Sequence, residues 1–118
     1  MYLEKAMNKT LLYLNNLPAF RDSKLYGNDP VIVSIKELPF GWLFHYNGRL
    51  AMETNDIEAT YMGVAPVLVD KNDESVQAVR FIDLREQIKD YIELKGYNVN
   101  IDEFFPPYNN EDTDYSKC

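Results

Sequence analysis

The chain has 118 residues, 46% of them hydrophobic, which favours one domain with a core that needs no disulfide or structural metal. Its formal net charge of −7 excludes nucleic acid and anionic membranes as favoured partners, because both require Lys and Arg for neutralisation. The only cysteine, Cys118, cannot form an internal disulfide, and the first ten residues lack the apolar run of a signal peptide, so a cytoplasmic location is expected.

The first predicted element is an amphipathic helix at the N terminus. Its apolar residues recur at intervals of four, four and three, which places them on one helical face. These residues are Leu3, Met7, Leu11 and Leu14. Pro18 is expected to end the helix, because proline lacks the N–H group that a continuing helix requires. Residues 20–30 are then predicted to form a loop.

Four strands are predicted next. Alternation of apolar and polar residues indicates strands at 31–36 and 40–47, joined by a short connection. The apolar run 67–69 indicates a third strand, and residues 76–81 a fourth. The polar run 70–75 between the last two is typical of a hairpin turn. Short connections of this kind favour an antiparallel sheet.

Residues 49–63 separate the second and third predicted strands and are too polar for a core strand. One or two helical turns are expected here, with Asn55 and Asp56 near their start, since Asp is a good N-cap. Met52, Ile57 and Tyr61 are expected on the inner side of these turns.

A second long helix is predicted to begin at Asp83, which forms a capping-box pattern with Glu86. Apolar residues share one of its faces, and Gly96 is suited to the left-handed conformation that ends many helices. The apolar residues are Leu84, Ile88, Tyr91 and Ile92.

The predicted fold is therefore α+β. It consists of a four-stranded antiparallel sheet, with an N-terminal and a C-terminal helix packed on one face and a short helical insert between strands 2 and 3. Residues 1–96 are expected to form a single domain. Residues 97–118 are expected to be an acidic, aromatic-containing and partly flexible extension, in which Phe104 and Phe105 pack against the domain or a partner.

The residues that carry catalysis in other proteins form no recognisable set here. His45 is the only histidine and lies on a strand, where a lone histidine is usually structural. Cys118 is terminal, and the acidic run at 70–74 lacks the ligand spacing of a calcium-binding loop. No cysteine and histidine pair has zinc spacing, and no glycine-rich loop is suited to phosphate. We therefore predict a protein that is not an enzyme and has no catalytic, cofactor or metal site.

A protein-binding surface is the better interpretation of the acidic and aromatic residues. Tyrosine gives a large contact area at low entropic cost, and an acidic surface favours a basic partner. The predicted partner-binding residues form two clusters. The insert cluster contains Glu53, Asp56, Glu58 and Tyr61. The turn cluster contains Asp70, Asp73 and Glu74.

The segment Gly41–Asn47 reads Gly-Trp-Leu-Phe-His-Tyr-Asn. It resembles the Gly-Trp-x-Phe-x-Tyr-Asn signature of the immunity protein 35 family, also called the YrhB-like domain, of bacterial polymorphic toxin systems. Four further segments resemble the family in the same order, so the resemblance covers roughly residues 31–94. These segments are Glu53–Asp56, Gly63–Pro66, Val67–Lys71 and Ile88–Tyr91.

The chain departs from the family pattern at three places. Asn55 stands where the family usually has glycine, and Val64 stands where it usually has asparagine. The pair Asp73-Glu74 replaces a more usual Asp-Gly turn.

The resemblance implies a protein that binds a cognate bacterial toxin and neutralises it by covering its active or functional surface, without catalysis. The net charge of −7 favours a basic toxin. Some relatives are described as chaperone-like, so a holdase that binds many clients through an exposed apolar patch is the alternative. An enzyme that uses His45 with a carboxylate is a third, weaker interpretation.

Overall fold

The computed structural model describes residues 1–21, 27–55, 60–61, 65–80 and 82–105. The chain divides into two compact units, Met1–Leu84 and Arg85–Cys118. Nine elements occur in the described ranges, here in chain order. They are α1 (Leu3–Asn15), α2 (Pro18–Arg21), β1 (Pro30–Leu38), β2 (Gly41–Gly48), α3 (Arg49–Thr54), β3 (Val67–Asp70), β4 (Val76–Ala78), α4 (Leu84–Lys95) and a 3₁₀ helix (Ile101–Glu103).

The sheet has four antiparallel strands in the order β1-β2-β3-β4, with helices at both ends of the chain sequence and a short helix after β2, which confirms the predicted α+β fold. β1 pairs with β2 from Pro30↔Gly48 to Leu38↔Gly41, with an irregularity between Ile32 and Ser34. The short connections account for this simple order, because each strand pairs with the one that follows it in the chain.

The buried face of α1 differs from the predicted stripe of long apolar residues. Its buried positions are Ala6, Thr10 and Leu14, whereas Leu3 is exposed. Small side chains let the helix backbone approach the aromatic face of the sheet, where larger residues would keep it away. The Thr10 hydroxyl donates to the Ala6 carbonyl at 2.9 Å, so its burial leaves no unpaired donor.

Pro18 does more than end α1, because it is also the first residue of α2. Proline is favoured at the first position of a helix. The N–H group that it lacks would have no hydrogen-bond partner within the helix at this position, and its fixed φ angle is already helical. The prediction of a loop was therefore wrong for Phe20 and Arg21, and residues 22–26 of the predicted loop lie outside the described residues. α2 places Phe20 in the core formed by Trp42, Phe44 and Tyr46 of β2.

The helical insert lies earlier in the chain than predicted. α3 starts at Arg49 directly after β2, and Asn55 ends it instead of starting it. Asn55 adopts the left-handed conformation with φ 55°, which stops the helix. Ala51 is the buried residue of α3, and Met52 is 49% exposed, so the predicted inner position of Met52 was wrong. Ile57 lies outside the described residues.

In the second unit, α4 buries Ile88, Tyr91 and Ile92 as its spacing predicts, and Gly96 has φ 72° as expected of a helix C-cap. The Arg85 guanidinium donates to the Phe105 carbonyl at 2.9 Å and also to the Asp102 carboxylate. These bonds hold the 3₁₀ helix and the residues after it against the start of α4.

Phe104 and Phe105 are partly buried, and residues 106–118 lie outside the described ranges. The predicted domain boundary at Gly96 stays a prediction. Among the described residues, no helix combines the length and apolar character that crossing a membrane requires.

Candidate partner-binding surface

The signature segment of β2 is used to build the fold. Trp42, Phe44 and Tyr46 are buried in the core against α1. Gly41 lies so close to β3 that a Cβ atom there would be 2.0 Å from the Val69 carbonyl oxygen. These residues are therefore buried within the chain and unsuited to contact with a partner.

Asn47, the last signature residue, joins the end of β2 to the chain that returns from the insert. Its Oδ1 accepts hydrogen bonds from the Gly48 N–H at 2.7 Å and the Tyr61 N–H at 2.9 Å. One side chain thus fixes both ends of the segment that contains α3.

The start of α3 is anchored to the segment before β1. The Leu50 N–H donates to Asn28 Oδ1 at 3.1 Å, and the Arg49 N–H donates to the Asp29 carbonyl at 2.8 Å. The Arg49 guanidinium donates twice to the Asp29 carboxylate, at 3.0 and 3.1 Å, which raises the pKa of Arg49. A Cβ atom on Gly48 would lie 2.0 Å from Asn28 Oδ1, so this position must stay small.

Tyr61, which follows the insert, is held against α2 and β2 by an aromatic cluster. Its ring stacks on Phe20 with centroids 4.9 Å apart and meets Tyr46 edge-on at 6.3 Å. Its hydroxyl donates to the Asn28 carbonyl. Burial, with the neighbouring Tyr13 and Tyr61, raises the pKa of Tyr46 to about 12. Tyr61 is consequently half-buried and held by contacts within the chain.

α3 presents an exposed surface of mixed character on this support. Met52, Glu53, Thr54 and Asn55 are all exposed, with a polarizable apolar side chain beside a carboxylate. Methionine adapts to irregular partner surfaces. Of the predicted insert cluster, Glu53 therefore lies on this surface, Tyr61 is half-buried against Phe20 and Tyr46, and Asp56 and Glu58 lie outside the described residues.

In the turn between β3 and β4, two predicted contact residues hold the turn itself. Asp70 is fully buried, and its carboxylate accepts the Asn72 N–H at 2.8 Å. Asp73 is exposed, and its carboxylate accepts the Ser75 N–H at 2.9 Å. Both bonds are of the kind by which Asp stabilises turns.

Glu74 ties this turn to α1. Its carboxylate lies 2.7 Å from Lys5 Nζ and 3.4 Å from Lys9 Nζ, and its backbone has φ 61°. Hydrogen bonds from Lys5 and then Lys9 lower the pKa of Glu74. Lys5 and Lys9 of α1 thus neutralise the charge of the Glu74 carboxylate.

The described members of the two predicted clusters lie at opposite ends of β2. Asp70 pairs with Gly41 at the start of β2, whereas α3, which contains Glu53, follows Gly48 at its end. Seven residues of extended strand separate these ends by about 24 Å. Glu53 and the turn cluster thus belong to two separate surfaces.

His45 faces away from the α1 side, opposite Ser34 of β1, and is partly buried. Burial and then the charge of Lys36 lower the pKa of His45. Across the described part of the chain, no three His, Cys, Asp or Glu side chains are grouped so as to hold a metal ion.

The family model for Immunity protein 35 matches residues 4–85, more than half of the chain. The chain belongs to the Immunity protein 35 family. This confirms the resemblance to the family. The matched region starts earlier than the predicted one, so it takes in nearly all of α1, and it ends at residue 85, so the predicted resemblance of Ile88–Tyr91 lies outside it. Comparison with curated proteins and with solved structures gave no match.

Two positions at which the sequence departs from the expected family pattern, Asn55 and Glu74, have positive φ angles, 55° and 61°. Glycine adopts this conformation most easily, which agrees with the glycine expected at both positions from the resemblance. The sequence did not indicate the anchoring role of Asn28 and Asp29, since Asn-Asp before Pro30 is equally typical of a turn.

Proposed function

We propose that this chain is an immunity protein that binds a cognate bacterial toxin and neutralises it by covering its active or functional surface, without catalysis. The observation that carries this proposal is the family match over residues 4–85. It acts in the cytoplasm of the toxin-producing cell, and its partner presents a basic surface to the chain of net charge −7.

The surface formed by α3 is the proposed centre of the interface. Exposed Met52 offers apolar contact area, and exposed Glu53 offers charge, on a helix whose start is fixed by four hydrogen bonds to Asn28 and Asp29. A surface held in its bound geometry loses less entropy on binding. Asp56 and Glu58 follow α3 in the chain, lie outside the described residues, and are proposed as further acidic contacts.

The remaining predicted contact residues have different proposed parts. Asp73 is exposed and makes a peripheral contact, while Tyr61, Asp70 and Glu74 position the two surfaces through the internal bonds described above. An interface of standard size buries about 800 Å² on each partner. A roughly circular footprint of that area has a radius of about 16 Å, so a partner centred on α3 reaches the turn cluster, about 24 Å away, only through an interface larger than the standard size.

The test is co-expression with the toxin encoded by the neighbouring gene, followed by purification of the complex. Rescue of growth and a stoichiometric complex are the expected results. Binding that weakens as salt rises is also expected, because exposed charges are screened. No rescue, with no complex, would contradict the proposal.

The position of the interface is tested by reversing one charge. Glu53→Lys should weaken toxin binding at least about 10-fold, which corresponds to about 1.4 kcal/mol. The matched control is Glu4→Lys, which makes the same change on an exposed position of α1 and should bind normally. Equal effects of both variants would contradict the placement on α3.

The chaperone interpretation gives a different result in the same experiments. A holdase would suppress the aggregation of several unrelated proteins and would show no stoichiometric partner. Because holdase binding relies on apolar contacts, it would also be insensitive to Glu53→Lys.

A further inference from the structure

Met52 differs from the other methionines of the described residues in its exposure to solvent. It lies on α3, and 49% of the residue is exposed. Met1 and Met7 are partly buried and pack against the aromatic core. Met62, the fourth methionine of the chain, lies outside the described residues. Among the methionines that the structure describes, Met52 is therefore the most accessible to small molecules in solution.

An exposed thioether reacts with peroxides. A hydroperoxide transfers one oxygen atom to the sulfur: the O–O bond breaks, an S–O bond forms, and the sulfur loses two electrons. Hydrogen peroxide is reduced to water in this step. A methionine sulfoxide reductase reverses the reaction with a dithiol, which is oxidised to a disulfide while the oxygen leaves as water. Oxidation at an exposed methionine is thus a reversible change of chemistry at one side chain.

The fold of α3 does not depend on the Met52 side chain. Ala51 is the residue that α3 buries, and the start of the helix is held by the bonds to Asn28 and Asp29 described above. None of these bonds uses a side-chain atom of Met52. Oxidation of Met52 should therefore leave the fold intact and change only the surface that α3 presents.

On that surface, the sulfoxide removes what methionine contributes to binding. The thioether is apolar and adapts its shape to a partner. The sulfoxide is polar, and its oxygen loses bound water when a partner covers it, which is unfavourable unless the partner supplies a donor. The exposed Glu53 is the next residue, so oxidation adds a second acceptor beside an existing carboxylate. An apolar contact is thereby replaced by a polar one.

We propose that Met52 is a reversible oxidation site, at which a hydroperoxide forms the sulfoxide and weakens toxin binding. This inference rests on the proposed function, because it concerns the same surface of α3. It adds that neutralisation is sensitive to peroxide, and that a bound toxin protects the Met52 sulfur by covering it.

The first test uses the chain without a toxin. The purified full chain, carrying Cys118→Ser to remove its thiol, is treated with hydrogen peroxide, and peptide mass spectrometry follows oxygen addition at each methionine. Met52 should be oxidised at least about 10-fold faster than Met7, because Met7 is partly buried against the core. The circular dichroism spectrum should stay unchanged. Equal rates at the two residues would overturn the inference.

The second test measures binding to the toxin encoded by the neighbouring gene. The oxidised chain should bind at least about 10-fold more weakly than the untreated chain, and methionine sulfoxide reductase with dithiothreitol should restore the affinity. Met52→Leu is the matched control, because it keeps an apolar side chain without sulfur and should bind normally before and after peroxide. Met52→Gln, which introduces polarity without oxidation, should bind weakly.

The outcomes separate this inference from the proposed function. Tight binding by the untreated chain, with no loss after oxidation of Met52, would overturn the oxidation site and leave toxin neutralisation in place. An equal loss in Met52→Leu after peroxide would assign the effect to another residue and would also overturn the site. No binding by the untreated chain would overturn both proposals.

Discussion

Asn55 shows how one residue sets the length of α3. With φ 55° it occupies a conformation that glycine adopts without cost and asparagine adopts more easily than most residues. We expect Asn55→Ala to lower the free energy of unfolding by about 1 kcal/mol, because its Cβ atom clashes in this conformation. Asn55→Gly should stay within a few tenths of a kcal/mol of the wild type. Urea denaturation of the three proteins measures this, and equal stability of the Ala and Gly variants would contradict it.

Asn47 holds the chain both before and after α3. Asn47→Ala leaves the Gly48 and Tyr61 N–H groups without their acceptor and should cost about 1–3 kcal/mol. Asn47→Asp keeps an oxygen at the same place and should retain most of the stability. Under the proposed function, toxin binding should fall with Asn47→Ala more than its stability loss explains, because α3 loses its alignment. Calorimetry of binding on folded protein separates the two effects.

At this scale, the sequence predicted the burial of aromatic residues better than the roles of polar ones. Alternation along β2 correctly placed Trp42, Phe44 and Tyr46 on one buried face, since period two is a property of every strand. Asp70 was expected at the surface because acids in turns usually are. Its carboxylate instead bonds the turn backbone in a buried position, and that depends on tertiary contacts which local sequence does not contain.

Among the elements, α1 and the turn between β3 and β4 are joined by charge. Lys5 and Lys9 contact Glu74, all three partly exposed, so this attachment should be sensitive to salt. We expect amide exchange in the turn to accelerate at 1 M salt, where the Debye length is about 3 Å. Glu74→Gln should exchange quickly at both salt concentrations. Asp73→Asn keeps the acceptor for the Ser75 N–H and should respond to salt like the wild type.

The errors at the level of elements have a common cause. The predicted face of α1 followed the largest apolar residues, but contact with an aromatic sheet selected the small Ala6 and Thr10. The predicted start of the insert followed a good N-cap at Asp56, but α3 begins at Arg49, where Asp29 supplies the bonds. In each case the deciding partner lies on another element, far away in sequence, and local pattern does not report it.

For the whole molecule, folding lowers the pKa of His45 and raises the pKa of Tyr46, both on β2. These two shifts define a pH range of greatest stability. An unfolded histidine binds its proton near pH 6.5, and folded His45 binds it only at lower pH, because burial and Lys36 disfavour the cation. Between the pKa of folded His45 and the pKa of unfolded histidine, the unfolded chain holds more protons than the folded chain. Stability therefore rises with pH there, and it is lost as the pH falls below 6.5. The pKa of Glu74 is also lowered in the folded chain, so protonation of Glu74 causes a further loss of stability at more acidic pH.

Above about pH 10, the dependence of stability on pH has the opposite sign. Folded Tyr46 keeps its proton to about pH 12, whereas in the unfolded chain the phenol ionises near 10.0. Between these values the folded chain holds more protons, so stability falls as the pH rises. Thermal unfolding from pH 5 to 11 should consequently show a plateau between about 6.5 and 10. His45→Gln should flatten the acid side just below 6.5, and Tyr46→Phe should flatten the alkaline side while keeping the buried ring. If the stability of His45→Gln fell below pH 6.5 as steeply as that of the wild type, groups other than His45 would be responsible. Likewise, an unchanged fall above pH 10 in Tyr46→Phe would mean that groups other than Tyr46 are responsible.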